Sequence, residues 1–319
     1  MMNIVFFGSD DFSLASLNAC LESSHQVVLA VTTPPQKQGR GLTLVPTPVQ
    51  QFAASRRIPF AAPEDLKNDA LPDQLRSLDP GLFVVASYGK FIPGRYLSIP
   101  SFAALNVHPS LLPLYRGSSP IQAPLLNGDR ETGLSIIELA RRLDAGDIFL
   151  QVRIPLDGTE TQPILRQKLA DLSHRELLGL LNSLPDRPLQ RTPQDEARST
   201  YAPKLSKEDG HLSLFLHSAE EIERRVRALQ PWPGTFIHLF GERVAVLEAR
   251  SEHLEGESAA VLPGAISRIE SNGAFSVGTR EGILKVFQLQ PAGKKAMRAD
   301  AYLNGRRLKA GAILRETPA

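Results

Sequence analysis

One cysteine, one tryptophan and three methionines are spread over 319 residues, and aromatic side chains make up only 6% of the chain. The lone Cys20 can close no internal disulfide and supply no thiolate cluster to a metal, which fits a reducing compartment. No apolar run approaches the roughly 18 residues of a membrane span. The first strand pattern starts near Asn3, so no leader is expected and the protein is expected to be cytoplasmic. The turn Gly8-Ser9-Asp10-Asp11-Phe12 stands where a dinucleotide fingerprint would. It holds a single glycine, where several are needed for close approach to a pyrophosphate, and its acidic residues would repel one. This weighs against a nicotinamide dehydrogenase, and a phosphate loop of the nucleotide-hydrolase type is also missing. No Ser or Cys lies in a nucleophile elbow. His25, His174, His211, His217, His238 and His253 lack metal-ligand spacing and are expected at the surface.

At about 150 residues per domain, the length favours two domains with sizeable cores. A content of 42% hydrophobic and 22% charged residues argues against disorder, collagen and a coiled coil. The net charge is only +2, but it is unevenly spread. From residue 285 to the end, Lys285, Lys294, Lys295, Arg298, Arg306, Arg307, Lys309 and Arg315 face only Asp300 and Glu316, so this end carries +6 and the rest −4. A basic C-terminal end points to a polyanionic partner.

Short apolar runs at 4–7, 27–31, 82–86 and 105–107 alternate with helical patterns. This indicates buried parallel strands with crossover helices, an open α/β sheet. Phe12, Leu14, Ala15, Leu17 and Leu21 give the first helix a buried face, which Cys20 helps to fill. Runs at 134–139 and 149–154 flank the turn Leu143-Asp144-Ala145-Gly146-Asp147 and read as adjacent strands, with a helix over 161–184 to follow. A proline- and charge-rich stretch without apolar periodicity then reads as a linker over 188–205, dividing a first domain, 1–187, from a second, 206–319. In the second domain, Ser218 and Glu221 form a capping box for a helix over 218–229. Five short strand patterns at 235–240, 243–249, 264–269, 274–277 and 283–289 suggest a small barrel of the OB type.

The stretch Leu105-Asn106-Val107-His108-Pro109 carries the most chemistry. Side chains alternate along a strand, so Asn106 and His108 face the same way, beside a proline that ends the strand at the usual ligand edge of an open α/β sheet. Asp144, in its glycine-containing turn, either orients His108 or caps its own turn. Together the three suit acyl transfer to an amine: Asn and protonated His stabilise an oxyanion, His relays the amine proton, and Asp fixes the imidazole tautomer. With no elbow nucleophile, direct attack by the amine is favoured over a covalent intermediate.

At these residues the sequence closely resembles the methionyl-tRNA formyltransferase family, over almost the whole chain. The likeness runs through Asn106-Val107-His108-Pro109-Ser110-Leu111-Leu112-Pro113, Tyr115-Arg116-Gly117, Pro120-Ile121-Gln122 and Leu143-Asp144-Ala145-Gly146-Asp147. It continues through Tyr201-Ala202-Pro203-Lys204-Leu205, Pro231-Trp232-Pro233-Gly234, Pro291-Ala292-Gly293-Lys294-Lys295 and Leu303-Asn304-Gly305-Arg306-Arg307. The Asn-x-His motif and the Asp turn are common to enzymes that take formyl from 10-formyltetrahydrofolate. The basic end and the second domain look like the tRNA-dependent branch.

The resemblance implies a Rossmann-like formyltransferase domain followed by an OB-like β-barrel domain that binds tRNA. It implies Asn106, His108 and Asp144 as the catalytic set, and Ser110, Leu111, Leu112 and Pro113, with Tyr88 and Gly89, as the pocket for 10-formyltetrahydrofolate. Tyr88-Gly89 also reads as a plain turn after a strand. Lys37 and Arg40, in the loop 34–44, and Lys294, Lys295, Arg306 and Arg307 are the implied contacts to charged initiator methionyl-tRNA. Leu42 and Thr43 stand where many relatives carry two lysines, and Arg142 and Ala145 depart mildly from the usual catalytic turn. Some of the C-terminal cations would alternatively cover the barrel or cap a terminal helix. No metal and no membrane are implied, and a monomer is expected. The competing readings are a formyltransferase acting on an aminosugar or ribonucleotide amine, and a noncatalytic RNA-binding protein. The intact Asn106, His108 and Asp144 argue against the latter.

Overall fold

The computed structural model describes residues 1–38, 43–67, 70–252 and 261–317. In chain order, its first part runs β1 (Asn3–Gly8), α1 (Asp11–Glu22), β2 (Gln26–Val31), β3 (Gln36–Gln38), β4 (Thr43–Val45), α2 (Pro48–Ser55), β5 (Phe60–Ala61), α3 (Leu71–Ser77), β6 (Pro80–Ala86), β7 (Ala103–His108), β8 (Arg116–Gly117), α4 (Gln122–Asn127), β9 (Glu131–Glu138), β10 (Ile148–Pro155), α5 (Gln162–Asn182) and β11 (Tyr201–Ala202). After these come α6 (Ala219–Leu229), β12 (Phe236–Leu239), β13 (Glu242–Glu252), β14 (Ile266–Ile269), β15 (Phe275–Gly278), β16 (Ile283–Pro291), β17 (Met297–Arg298) and α7 (Ala299–Gly305).

The chain divides into two compact units. One holds Met1–Pro120, Glu131–Pro155 and Leu165–Pro203; the other holds Ile121–Arg130, Leu156–Ile164 and Lys204–Ala319. This differs from the division at 187 and 205 that the sequence suggested. Segment 121–130 groups with the second unit because Arg224 of α6 donates from Nε to the Leu126 carbonyl at 3.1 Å. The supposed linker groups with the first unit through hydrogen bonds described below.

In the first unit, seven strands lie in the order β10-β9-β7-β6-β1-β2-β5. The five from β7 to β5 are parallel, and β9 and β10 are antiparallel additions at one edge. Every residue of β6 is buried, as are Ile4 to Phe7 of β1, because crossover helices cover both faces of a parallel sheet. Each fully buried Phe, such as Phe7 or Phe83, contributes on the order of 2 kcal/mol by leaving water. The order reverses between β1 and β6, which creates a crevice at the carboxyl ends of the strands. Asp10, in the acidic turn after β1, N-caps α1 by accepting from Ser13 N at 3.1 Å, and it also pairs with Arg166 at 2.7 Å. Cys20 is fully buried in α1.

His25, expected at the surface, is only 7% exposed. Its Nε2 bonds the Leu181 carbonyl at 2.9 Å and its Nδ1 accepts from Met2 N at 3.3 Å, so two backbone groups distant in sequence pull the ring inward. His253 lies outside the described residues.

In the second unit, five antiparallel strands run β12-β13-β16-β15-β14, with β17 paired to β16. The edge strands β12 and β14 share no ladder, so the sheet is barrel-like rather than closed. Residues 313 and 316 reach both edges through single bridges, Ala265 to Ile313 and Leu239 to Glu316. The capping box of Ser218 and Glu221 starts α6. Ile222 and Val226 of α6 then pack into a core with Val244, Phe275, Leu284 and Tyr302.

Candidate active site

Parallel pairing of β7 with β6 sets Asn106 opposite Val85, and antiparallel pairing with β9 sets His108 opposite Ser135. Two residues apart, both project from one face at the strand's carboxyl end. Asp144 arrives from the turn between β9 and β10. Its Oδ1 accepts from Asn106 Nδ2 at 3.1 Å and its Oδ2 accepts from the Gly117 N–H at 2.9 Å. His108 Nδ1 stands 3.7 Å from Asp144 Oδ2, and Nε2 lies 2.9 Å from the Tyr115 carbonyl oxygen. The His108 and Asp144 side chains are 6% and 8% exposed, so charge that develops between them is little screened by water. Asp144 thus bonds Asn106 and the Gly117 N–H directly and lies beside His108 beyond hydrogen-bond distance.

The turn is shaped to deliver the carboxylate. Asp144 has a left-handed backbone, φ 50°, and a Cβ on Gly146 would fall 1.9 Å from the Glu138 carbonyl oxygen. Only glycine allows that approach.

The segment Ser110 to Pro113 is held from beneath. Ser135 Oγ donates to Ser110 O at 2.7 Å and accepts from Leu112 N, while Gln151 Nε2 donates to Leu112 O at 2.8 Å. Ser110 Oγ itself donates to Leu114 O at 2.7 Å. Leu111 and Leu112 are buried and Pro113 is half-buried. Tyr88 and Gly89 follow β6 at the crevice. The Tyr88 ring is buried edge-on to Phe7, and its backbone carbonyl accepts from Ser9 Oγ. Gly89, φ 80°, has open space where a Cβ would project.

Lys37 is exposed on the β3-β4 hairpin, whereas Arg40 and Leu42 lie outside the described residues. Lys294, Lys295 and Arg307 are exposed in the second unit. Arg306 is not like them. It is half-buried, paired with Glu242, and its guanidinium sits 4.1 Å over the Tyr302 ring. Burial pushes that phenol up to about 12.

Sequence reasoning missed Ser135, Gln151, Gln194 and Glu196. Ser135 left a signal as a polar residue inside the apolar run 134–139, where it must find partners. Gln194 and Glu196 left none, because they lie in a stretch without periodicity.

No Ser or Cys among the described residues is poised as a nucleophile here. Burial pushes the Cys20 thiol far up from its ordinary value, and Ser110 and Ser135 spend their hydroxyls on carbonyls. An Asn-His-Asp cluster at the carboxyl edge of an open sheet has the donors and the base that direct transfer of an acyl group to an acceptor calls for. Residues 2–181 match the family model for formyl transferase, and residues 204–307 match the one for the formyl transferase C-terminal domain. Methionyl-tRNA formyltransferase of Thermus thermophilus is 42% identical over 95% of this chain and 96% of its own. The Marinobacter nauticus protein of the same name is 37% identical over the same shares. The chain belongs to the methionyl-tRNA formyltransferase family. In fold it is similar to WlaRD, a sugar 3N-formyltransferase solved in the presence of dTDP and 5-N-formyl-THF. That match has a TM-score of 0.63 at 17% identity and covers 92% of this chain and 99% of that one.

Proposed function

We propose that this formyltransferase moves the formyl group of 10-formyltetrahydrofolate to the free α-amine of charged initiator methionyl-tRNA. The observation that carries this reading is the convergence of Asn106, His108 and Asp144 in a family member that also carries the second, C-terminal domain. The donor set suits a formyl carbonyl. An amide has two N–H groups, and Asp144 engages one of them at Asn106, which leaves the other for a developing oxyanion. Open space at Gly89, which follows β6, the parallel neighbour of β7, leaves its backbone open to a flat ring, and Ser110, Leu111, Leu112 and Pro113 follow β7 at the same edge of the sheet.

The α-amine titrates near neutrality and attacks as the free base. Its nitrogen bonds to the formyl carbon, and the carbonyl oxygen takes the charge, facing the second Asn106 N–H and His108 Nδ1, the ring nitrogen that the Tyr115 carbonyl does not engage. The bond from that carbon to the folate nitrogen then breaks. The proton lost by the amine passes by way of His108 or water to the leaving nitrogen, so the products are formylmethionyl-tRNA and tetrahydrofolate. Asp144 holds Asn106 and the imidazole in register.

Exposed Lys37, Lys294, Lys295 and Arg307 supply charge for tRNA phosphates. Arg306 joins them only at the expense of its pairing with Glu242. The test is turnover of purified protein with 10-formyltetrahydrofolate and three acceptors in parallel: charged initiator tRNA, an amino-sugar nucleotide and glycinamide ribonucleotide. Product with charged tRNA alone supports the reading; product only with a small amine overturns it.

A further inference from the structure

The stretch that reads as a linker supplies a fully engaged side chain at the Asp144 turn, Gln194. Gln194 Nε2 donates to the Asp144 carbonyl at 2.8 Å and to the Gly146 carbonyl at 2.7 Å. Its Oε1 accepts from Arg116 Nε at 3.1 Å and Nη2 at 2.8 Å. Both donors and both acceptor sites of one carboxamide are thus engaged, in a fixed orientation.

The partner on the far side matters as much. Arg116 is 7% exposed and precedes Gly117, whose N–H holds Asp144 Oδ2 at 2.9 Å. Gln194 therefore links the two segments that meet at that carboxylate, bonding the carbonyls of the turn that carries it and the Arg116 side chain of the strand that donates to it. Glu196 fixes the same arginine at 2.9 Å and reaches Arg142, on the other side of the turn, at 2.7 Å. These two cations hold the Glu196 carboxyl at about 2. Parallel pairing of Tyr201 and Ala202 with Arg116 and Gly117 anchors the rest of the stretch.

We infer that Gln194 is a positioning residue for the Asp144 carboxylate: its amide pins the left-handed turn so that both carboxylate oxygens meet Asn106, His108 and Gly117. The inference rests on the proposed formyl transfer. It makes the 192–202 stretch a working part of the catalytic unit rather than a spacer. A turn with Asp144 at φ 50° relaxes readily once its two carbonyls lose their donor, and the carboxylate swings with it.

The experiment is steady-state kinetics on the full chain with four proteins: wild type, Gln194→Ala, Asp144→Asn and the double variant. Wild-type turnover, and its loss in Asp144→Asn, test the formyl-transfer reading on their own. Given both, Gln194→Ala is expected to lower kcat about ten- to a hundredfold with both KM values held within about twofold, as for misplacement of a reacting group by under an ångström. On the Asp144→Asn background the same change should cost about nothing further, since it acts through a group already disabled. Should Gln194→Ala fold poorly, Gln194→Glu serves, because it keeps size and the oxygen facing Arg116 but presents an acceptor to the two carbonyls; the same loss of kcat is expected. Wild-type kcat in Gln194→Glu or Gln194→Ala, a rise in KM alone, or full multiplication of the two losses in the double variant overturns the inference while leaving formyl transfer standing. An inactive wild type overturns the reading itself and the inference with it.

Discussion

The candidate site residues of the two compact units are held in opposite ways. In the first, Asn106, His108 and Asp144 sit buried or nearly so at the end of a parallel sheet, each hydrogen-bonded to a partner at 2.9 to 3.1 Å. In the second, Lys294, Lys295 and Arg307 stand in water, on turns and at a helix end. Bond making depends on position to tenths of an ångström and needs a low dielectric, so its residues are enclosed. Attraction of a polyanion depends on the number and sign of charges over several ångströms, so flexible exposed side chains serve it. Arg306 is the exception among these candidate tRNA contacts, half-buried and paired with Glu242.

The largest effect that sharpens this contrast is on the enclosed set. His108→Ala and Asn106→Ala should each lower kcat at least about a hundredfold without unfolding the protein, as for loss of an oxyanion or proton-transfer group. Near-normal turnover in both would break the assignment, as read by initial rates and circular dichroism together. Next comes the exposed set. Changing Lys294, Lys295 and Arg307 together to Gln should raise KM for charged tRNA about tenfold and reduce the salt slope of tRNA binding by about 2 to 3, if each cation meets a phosphate. Affinity for the folate should stay put, and an unchanged slope would remove this surface from the tRNA site. Arg306→Gln tests the exception. Here the expected signature is a lower melting temperature, from a loss of about 1 kcal/mol of pairing and stacking, with a smaller change in salt slope than for the exposed cations.

The smallest effect is a titration. Burial holds His25 below its ordinary value, so the folded protein binds that proton less readily than the unfolded chain does. Stability supplied by the neutral ring is therefore full above about pH 6.5 and falls as the pH drops below it. Denaturant midpoints measured from pH 7.5 to 5.5 should decline, and His25→Gln should flatten that decline. A parallel decline in the variant would mean that other groups set it.

Much of this molecule is local in the sense that a strand or a cap is local. The alternation around Asn106 and His108 and the buried runs of β1 and β6 all appear in the sequence, because periodicity of 2.0 or 3.6 residues reflects which face meets the core. The Ser218 and Glu221 capping box is read just as directly, since its two partners lie within one turn of helix. That is enough to put an amide and an imidazole side by side at the edge of a sheet. It does not say what holds the third member in place. Ser135 and Gln151, which brace Ser110 and Leu112, become neighbours only through antiparallel pairing of β9 with β10.

The sequence by itself determined the open α/β sheet, the short strands of the second unit and the Asn-x-His pair. Tertiary structure alone decided that His25 turns inward, that Arg306 is spent on Glu242, that 121–130 joins the second unit and that a proline-rich stretch returns to clamp the Asp144 turn. The reason is one of range. Gln194 meets Arg116 across 78 residues and Asp144 across 50, and Arg306 meets Glu242 across 64. A hydrogen bond between such distant groups leaves no period, cap or turn signature in the residues beside either end.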